Sequence, residues 1–157
     1  MKHNTEIEKF TIRVYAIIIN YKNEVLLSDE FQLDRKMTKF PGGGMEFGEG
    51  TIECLEREAI EEFGQELEVM EHFYTTDFFQ KALFRNGYQV LNIYYRARFK
   101  DEINFKLASK PFEFEELKNG NQSFRWQSIE NLNPEEILFP IDQKVARMLI
   151  DQFKDKY

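Results

Sequence analysis

The stretch KFPGGGMEFGEGTIECLEREAIEEFG, residues 39–64, constrains this chain more than any other. Consecutive glycines lead into a segment of helical periodicity in which Glu58, Glu61 and Glu62 crowd into one turn. At about 100° per residue, with Glu58 at zero, Glu61 falls near −60° and Glu62 near +40°, while Ile52, Leu55, Ala59 and Phe63 gather at roughly 60–140°. The carboxylates therefore border the stripe that must be buried. Thr51 is expected to cap the helix, Glu53 to complement its positive end and Gly64 to end it.

A solvated acidic face is the ordinary outcome for such a helix. Against it, Glu58 and Glu62 form an i,i+4 like-charge pair, which costs a few tenths of a kcal/mol, and no Lys on the helix offsets them. A divalent cation would. Mg²⁺ is a hard ion that takes oxygen ligands, keeps several waters and is commonly shared between carboxylates and substrate phosphates. The glycines suit the same purpose, because backbone free of side chains can approach a ligand closely. No Gly-Lys-Ser/Thr follows, so this is not a Walker loop. The spacing is not G-x-G-x-x-G and no strand runs straight into it, so it is not a dinucleotide fingerprint.

The remainder reads as strands closed by a helix. Residues 10–20, FTIRVYAIIIN, alternate and then turn continuously apolar, as a strand entering a buried sheet does. YKN makes a turn and EVLLSD is expected to return as the next strand. The aromatic and β-branched runs 72–80 and 88–99 predict strands, as do two short pieces at 103–107 and 112–114. KNGNQS is a loop, and FRWQSI at 124–129 is the last strand. From Pro140, the spacing of Ile141, Val145, Met148, Leu149 and Phe153 predicts an amphipathic helix. The 157 residues show no repeat or linker and are expected to form one domain, residues 1–157.

Several function classes are disfavoured. A net charge of −7 without any basic run argues against a nucleic acid polymer as partner. The N-terminal MKHNTEIEKF has no apolar signal core and no stretch approaches the length of a membrane span, so a cytoplasmic protein is expected. Cys54 is the lone cysteine, which leaves no disulfide framework and no thiolate metal cluster. The two histidines, His3 and His72, do not suggest a Cys/His pair, and Cys54 is read as a packing residue.

Gly43, Glu49, Arg57, Glu58, Glu61, Glu62 and Gly64 fit the fixed positions of the Nudix box, and the chain resembles a MutT-like Nudix hydrolase. Ala59 suits the first hydrophobic position. Gln65 stands at the last, where an aliphatic residue is usual, and is expected to alter packing after the helix rather than chemistry. The resemblance implies an α/β fold, an α/β/α sandwich around a mixed β-sheet. It also implies Mg²⁺-dependent (or Mn²⁺-dependent) hydrolysis of the pyrophosphate linkage of a nucleoside diphosphate derivative, such as a nucleoside triphosphate, ADP-ribose or a nucleotide sugar. Glu58, Glu61 and Glu62, with a backbone carbonyl at Gly43 or Gly44, would hold the metal. Glu61 or Glu62 would act as base, with Glu116 in reserve, and Arg57 would pair with Glu49 or Glu61 to fix the loop. Glu115 and Glu116 otherwise read as solvated loop acids.

For substrate, Arg35, Lys36 and Lys39 are candidates for phosphate contact or for plain solvent exposure. Phe78, Phe79, Phe84 and Tyr88 offer faces for a purine, although 16 Phe in a chain this size are mostly core. Asp142 falls where MutT-like triphosphatases carry an amide that reads the base. Its other reading is an acid complementing the helix dipole. The expected partner is a small nucleotide, and a homodimer is left open. The alternative function is a non-catalytic Nudix-like domain that senses a nucleotide metabolite. Such domains usually lose box glutamates or carry a DNA-binding segment, and neither feature is seen. Isopentenyl diphosphate isomerisation would need a cysteine in another context.

Overall fold

In the computed structural model, which describes residues 6–156, the strands are β1 (Lys9–Ile18), β2 (Glu24–Gln32), β3 (Arg35–Lys39), β4 (Gly42–Gly44), β5 (Leu67–Thr75), β6 (Tyr88–Phe99) and β7 (Asn121–Ser128). Helix α1 (Thr51–Phe63) follows β4, and α2 (Pro140–Lys156) closes the chain after a 3-10 turn at Pro134–Glu136. His3 lies outside the described residues. Among the described residues no helix is long and apolar enough to cross a membrane.

The continuous apolar run in β1 has a direct structural cause. Val14, Ala16 and Ile18 pack with Cys54, Leu55, Ala59 and Phe63 of α1, whereas Tyr15 and Ile17 pack with Ile141, Val145, Ala146 and Leu149 of α2. Successive residues of a strand point to opposite faces, so a strand between two helical layers must be apolar at both parities. β2 repeats this, with Leu26 in the α1 core and Val25 and Leu27 in the α2 core. Each fully buried aliphatic or aromatic side chain contributes about 1.5–3 kcal/mol, and these two strands supply much of that burial.

The result is the α/β/α arrangement expected. Its strands form a mixed sheet ordered β4-β1-β6-β5, with β1 and β6 parallel, and an antiparallel sheet ordered β3-β2-β7. The turn between β1 and β2 is pinned by Asn20, whose Oδ1 accepts from the amides of Lys22 and Glu24. After the bridge Ile19–Val25, however, β1 and β2 enter different sheets rather than forming a hairpin.

Other expectations are revised by local contacts. Gly50, not Thr51, is the N-cap: its amide donates to Glu53 (3.1 Å), and Thr51 begins the helix with its hydroxyl against the Tyr95 hydroxyl (2.7 Å). Gly64 ends α1 at φ 67°, in the left-handed region, as expected. The glycines are themselves a strand, with Gly42, Gly43 and Gly44 opposite Tyr15, Val14 and Arg13. A Cβ at Gly42 would lie 2.1 Å from the Val14 carbonyl oxygen, so only glycine permits this pairing. Lys39 ends β3 just ahead of them, so a strand does precede the glycines.

β5 starts and stops earlier than the run 72–80, because Thr76 turns to hydrogen-bond Asn92 and Asp77 is taken by Tyr74 and Lys144. Residues 103–107 and 112–114 are not strands. Phe105 is apolar because it joins the ring cluster of Phe63, Phe99 and Phe124. Phe112, at φ 54°, cannot continue an extended strand. β7 in turn begins at Asn121, inside the stretch read as loop.

Candidate active site

Arg57 organises the loop that enters α1. Its Nε and one terminal nitrogen grip the Glu49 carboxylate at 3.0 and 2.8 Å, and that terminal nitrogen also donates to the Gly44 carbonyl at 2.9 Å. The other terminal nitrogen reaches Glu61 at 3.1 Å and Glu58 at 3.2 Å. A planar guanidinium with five donors is suited to such multiple gripping. Hydrogen bonding from Arg57 holds Glu49 down at about 2. Both pairings foreseen for Arg57 are therefore present. Cys54 is fully buried beneath it, its thiol pushed up to about 12 by burial, which suits packing and not nucleophilic attack.

Glu58 and Glu62 occupy the face of α1 turned toward β4. Gly43 is the cradle for Glu58: a Cβ there would sit 2.3 Å from Glu58 Oε1. Burial raises Glu58 above the ordinary carboxylate range, against the opposing pull of Arg57. Burial also lifts Glu62 to about 7, although Lys39 and a hydrogen bond from Gln122 act the other way. Gln122 Nε2 donates to Glu62 Oε1 at 3.3 Å, whereas Glu62 Oε2 is buried with no hydrogen-bond partner. Buried polar atoms left alone are few in folded proteins and call for an explanation.

Among the described residues, no three His, Cys, Asp or Glu side chains stand close enough to enclose an ion, because Glu61 is turned to Arg57 and half exposed. Mg²⁺ does not require such a cage. It is usually held by one or two carboxylates completed by water and phosphate oxygens. A pair of half-buried carboxylates, one over a backbone cradle and the other with a buried unpartnered oxygen, fits that ion's hard-oxygen preference.

A cavity of about 310 Å³ opens between β1, β2, β3, residues 80–85 and the start of α2; no residue of α1 lines it. Thr11, Arg13 and Tyr15 of β1 form one strip of its floor, and Val90 and Asn92 of β6 form the next. Two cations stand between cavity and carboxylates. Lys39, nearly buried, pairs with Glu30 at 3.2 Å and sits 5.3 Å above the Tyr15 ring; burial works to lower its pKa, but Tyr15, Glu30 and Glu62 outweigh it and keep it charged. The side chain of Arg13 lies beside Gly44, and its charge is reinforced chiefly by Tyr15, with Glu58 and Asp142 adding. Ser28, Glu30 and Gln122 link Lys39 to Glu62 through bonds of 2.9, 3.0 and 3.3 Å.

The structure separates the sequence candidates. Lys39 lines the cavity; Arg35 does not, and lies exposed over the Phe84 ring at 5.2 Å. Phe84 is a cavity wall, packed edge-on against Phe139, while Phe78 and Phe79 are exposed elsewhere and Tyr88 lies under Arg85. Glu115 and Glu116 share a shallow cleft with Gln122, so Glu116 relates to Glu62 only through that amide.

Asp142 is not among the cavity's lining residues. It is fully buried beneath the cavity, accepting from the Tyr94 hydroxyl and from the Phe40 amide at 3.3 Å, and burial raises it to about 6. Arg13, Glu30 and Asn92 were not singled out from sequence. The available signal was a polar residue at the cavity-facing parity of an otherwise apolar strand.

The NUDIX domain family model matches residues 9–149 of the chain. No curated protein matches it. Among solved structures, a NUDIX hydrolase from Nitrosomonas europaea superposes with a TM-score of 0.66 at 18% identity, covering 94% of this chain and 90% of that one. A MutT protein from Methanosarcina mazei Go1 gives 0.61 at 19% identity over 94% and 97%. An ADP-ribose pyrophosphatase from Streptococcus suis gives 0.60 at 15% identity over 94% of each chain.

Proposed function

We propose that this chain, which belongs to the Nudix family of pyrophosphohydrolases, hydrolyses the phosphoric anhydride of a nucleoside diphosphate derivative with the help of Mg²⁺ or Mn²⁺. The observation that carries the reading is Glu58 cradled on Gly43 beside Glu62, whose Oε2 is buried and unpartnered and whose other oxygen is linked through Gln122, Ser28 and Glu30 to Lys39 at the cavity. Structures of similar fold bear the names MutT protein and ADP-ribose pyrophosphatase, which supports a nucleotide substrate.

The roles follow from position. Glu58 and Glu62, with the Gly43 carbonyl, would hold the ion, and Glu61 would join them only on leaving Arg57; the ion when bound supplies charge neutralisation at the phosphates and acidifies a water. Arg57 keeps loop and helix in register by holding Glu49 and the Gly44 carbonyl. Lys39 and Arg13 face the gap between carboxylates and cavity, where phosphate oxygens must lie. Glu30 fixes Lys39 there. Arg35 is left to steady the Phe84 wall.

The proton of the attacking water passes to Glu62 or Glu61. Glu62 is favoured by its unpartnered oxygen, whereas Glu61 is already engaged by Arg57. Glu116 stays in reserve, one amide removed. Asp142 acts from below, holding Tyr94 and the Phe40 amide.

The test is phosphate and nucleotide release from nucleoside triphosphates, ADP-ribose, nucleotide sugars and dinucleoside polyphosphates, with and without Mg²⁺. Metal-dependent release of a nucleoside mono- or diphosphate is expected. Turnover insensitive to EDTA on every substrate would contradict the reading, and tight binding without turnover would favour a sensor.

A further inference from the structure

Asn92 lies in the middle of β6, directly opposite Arg13 of β1, and lines the cavity. It is buried, its backbone is tied to Thr76 on both sides, and its side-chain Oδ1 has no hydrogen-bond partner. An Asn amide carries two donors and an acceptor, and which end faces a ligand depends on what orients the other end. Here the orientation is set from behind. The Tyr94 hydroxyl gives its proton to Asp142 Oδ1, so toward Asn92 it can only accept, and Asn92 Nδ2 donates to it at 3.2 Å. Asp142 is itself fixed by the Phe40 amide. The chain Asp142–Tyr94–Asn92 therefore leaves Oδ1 as the lone, buried acceptor of a residue that lines the cavity.

Resting on the hydrolase reading of the same site, we propose that Asn92 is a specificity-determining residue that selects a nucleoside whose base presents an exocyclic amino group. The amino N–H donates to Oδ1, while the ring lies between the Phe84 wall and the floor strip of β1. A keto group at the same place would set oxygen against oxygen. A buried acceptor built to receive a hydrogen bond discriminates because the wrong ligand leaves it unpaired. Tyr94 and Asp142 are positioning residues in this scheme, since they act only by holding the amide the right way round.

The experiment compares two pairs that differ at amino versus keto, ATP with ITP and CTP with UTP. Turnover is measured, together with calorimetric binding of the matching diphosphates. The native chain is expected to prefer the amino member of at least one pair by about tenfold, the worth of one net hydrogen bond. Asn92→Leu should abolish the preference while retaining turnover of the keto member. Should that variant fail to fold, Tyr94→Phe, which removes the hydroxyl that orients the amide and leaves the cavity floor intact, should reduce the same ratio.

Equal handling of both members by the native chain, or an undiminished ratio in either folded variant, overturns the assignment. Amino-selective binding without turnover of any substrate would uphold Asn92 and remove the hydrolase reading instead. Turnover without selectivity would do the reverse.

Discussion

Asp142 and Glu62 each place carboxylate oxygens out of reach of solvent, on opposite sides of the same strands, and the protein treats them differently. Asp142, at the start of α2, has partners on both oxygens, from the Tyr94 hydroxyl and the Phe40 amide. Glu62, on α1, has one oxygen on Gln122 and the other on nothing. A buried acid whose bonds are complete is a piece of architecture; one left incomplete is held ready for something absent from the chain itself. Burial alone does not distinguish them, since it raises both.

The largest effect expected from breaking this contrast is on activity. Glu62→Gln should lower turnover about 100-fold or more, the usual worth of a positioned acid or base. The metal-free protein should be as stable as before or slightly more so, since a buried charge repelled by Glu30 and Glu58 is removed. The gain in Tm on adding Mg²⁺ should shrink, because a ligand stabilises in proportion to its occupancy of the folded state. Wild-type turnover together with an unchanged Mg²⁺ response would remove Glu62 from the site.

The counterpart on α2 should behave in the opposite way. Asp142→Ala strands a hydroxyl and an amide in the core, and urea unfolding should show a loss of about 2 kcal/mol without any change of metal response. A shifted Mg²⁺ dependence in this variant would contradict the division of labour.

The same carboxylate gives a pH effect of similar size. Burial raises Asp142 from 3.8 to about 6, so between those values the folded chain keeps a proton that the unfolded chain has released. Its contribution to stability is fully present below the lower value and is lost as pH rises through the upper one, by about 3 kcal/mol in all. Asp142→Asn should remove this part of the slope. Unfolding free energies of both proteins across pH 4–7 would show it, and parallel curves would count against the assignment.

The sequence made α1, α2, β1 and β6 legible because their apolar spacing and end signals agree with their final surroundings. Arg57 and its partners were legible too, since they lie within a few turns of one another. What escaped depended on partners far along the chain. The glycine strand exists only because β1 accepts it, and Asn92 matters because β6 lies parallel to β1. Asp142 reads from sequence as a base reader or as an acid complementing the helix dipole, because its position near a helix start carries no record of Tyr94, 48 residues earlier. Residues 103–107 were misread because Phe105 is apolar for the sake of a ring cluster and not a sheet.

The smallest predicted effect concerns that same segment. Gln65, the departure from the box pattern, donates to the Glu102 carbonyl at 2.9 Å and accepts from the Asn104 amide at 2.8 Å, pinning residues 102–104 to the end of α1. Gln65→Ala should cost about 1 kcal/mol, speed amide exchange at Asn104 and leave turnover unchanged. A fall in turnover as large as that of Glu62→Gln would show that the end of α1 belongs to the site after all.

The alternation of β1 has a genetic consequence. Arg13 and Tyr15 face the cavity while Val14 and Ala16 face α1, so deleting one codon upstream of them would exchange the two sets, sending a guanidinium into the α1 core and a valine to the cavity floor. Catalysis and folding would fail together from one event. Length variation among descendants of this sequence should therefore collect outside β1, in the irregular stretches 76–87 and 100–120, where side chains can be gained or lost without changing which way any strand residue points.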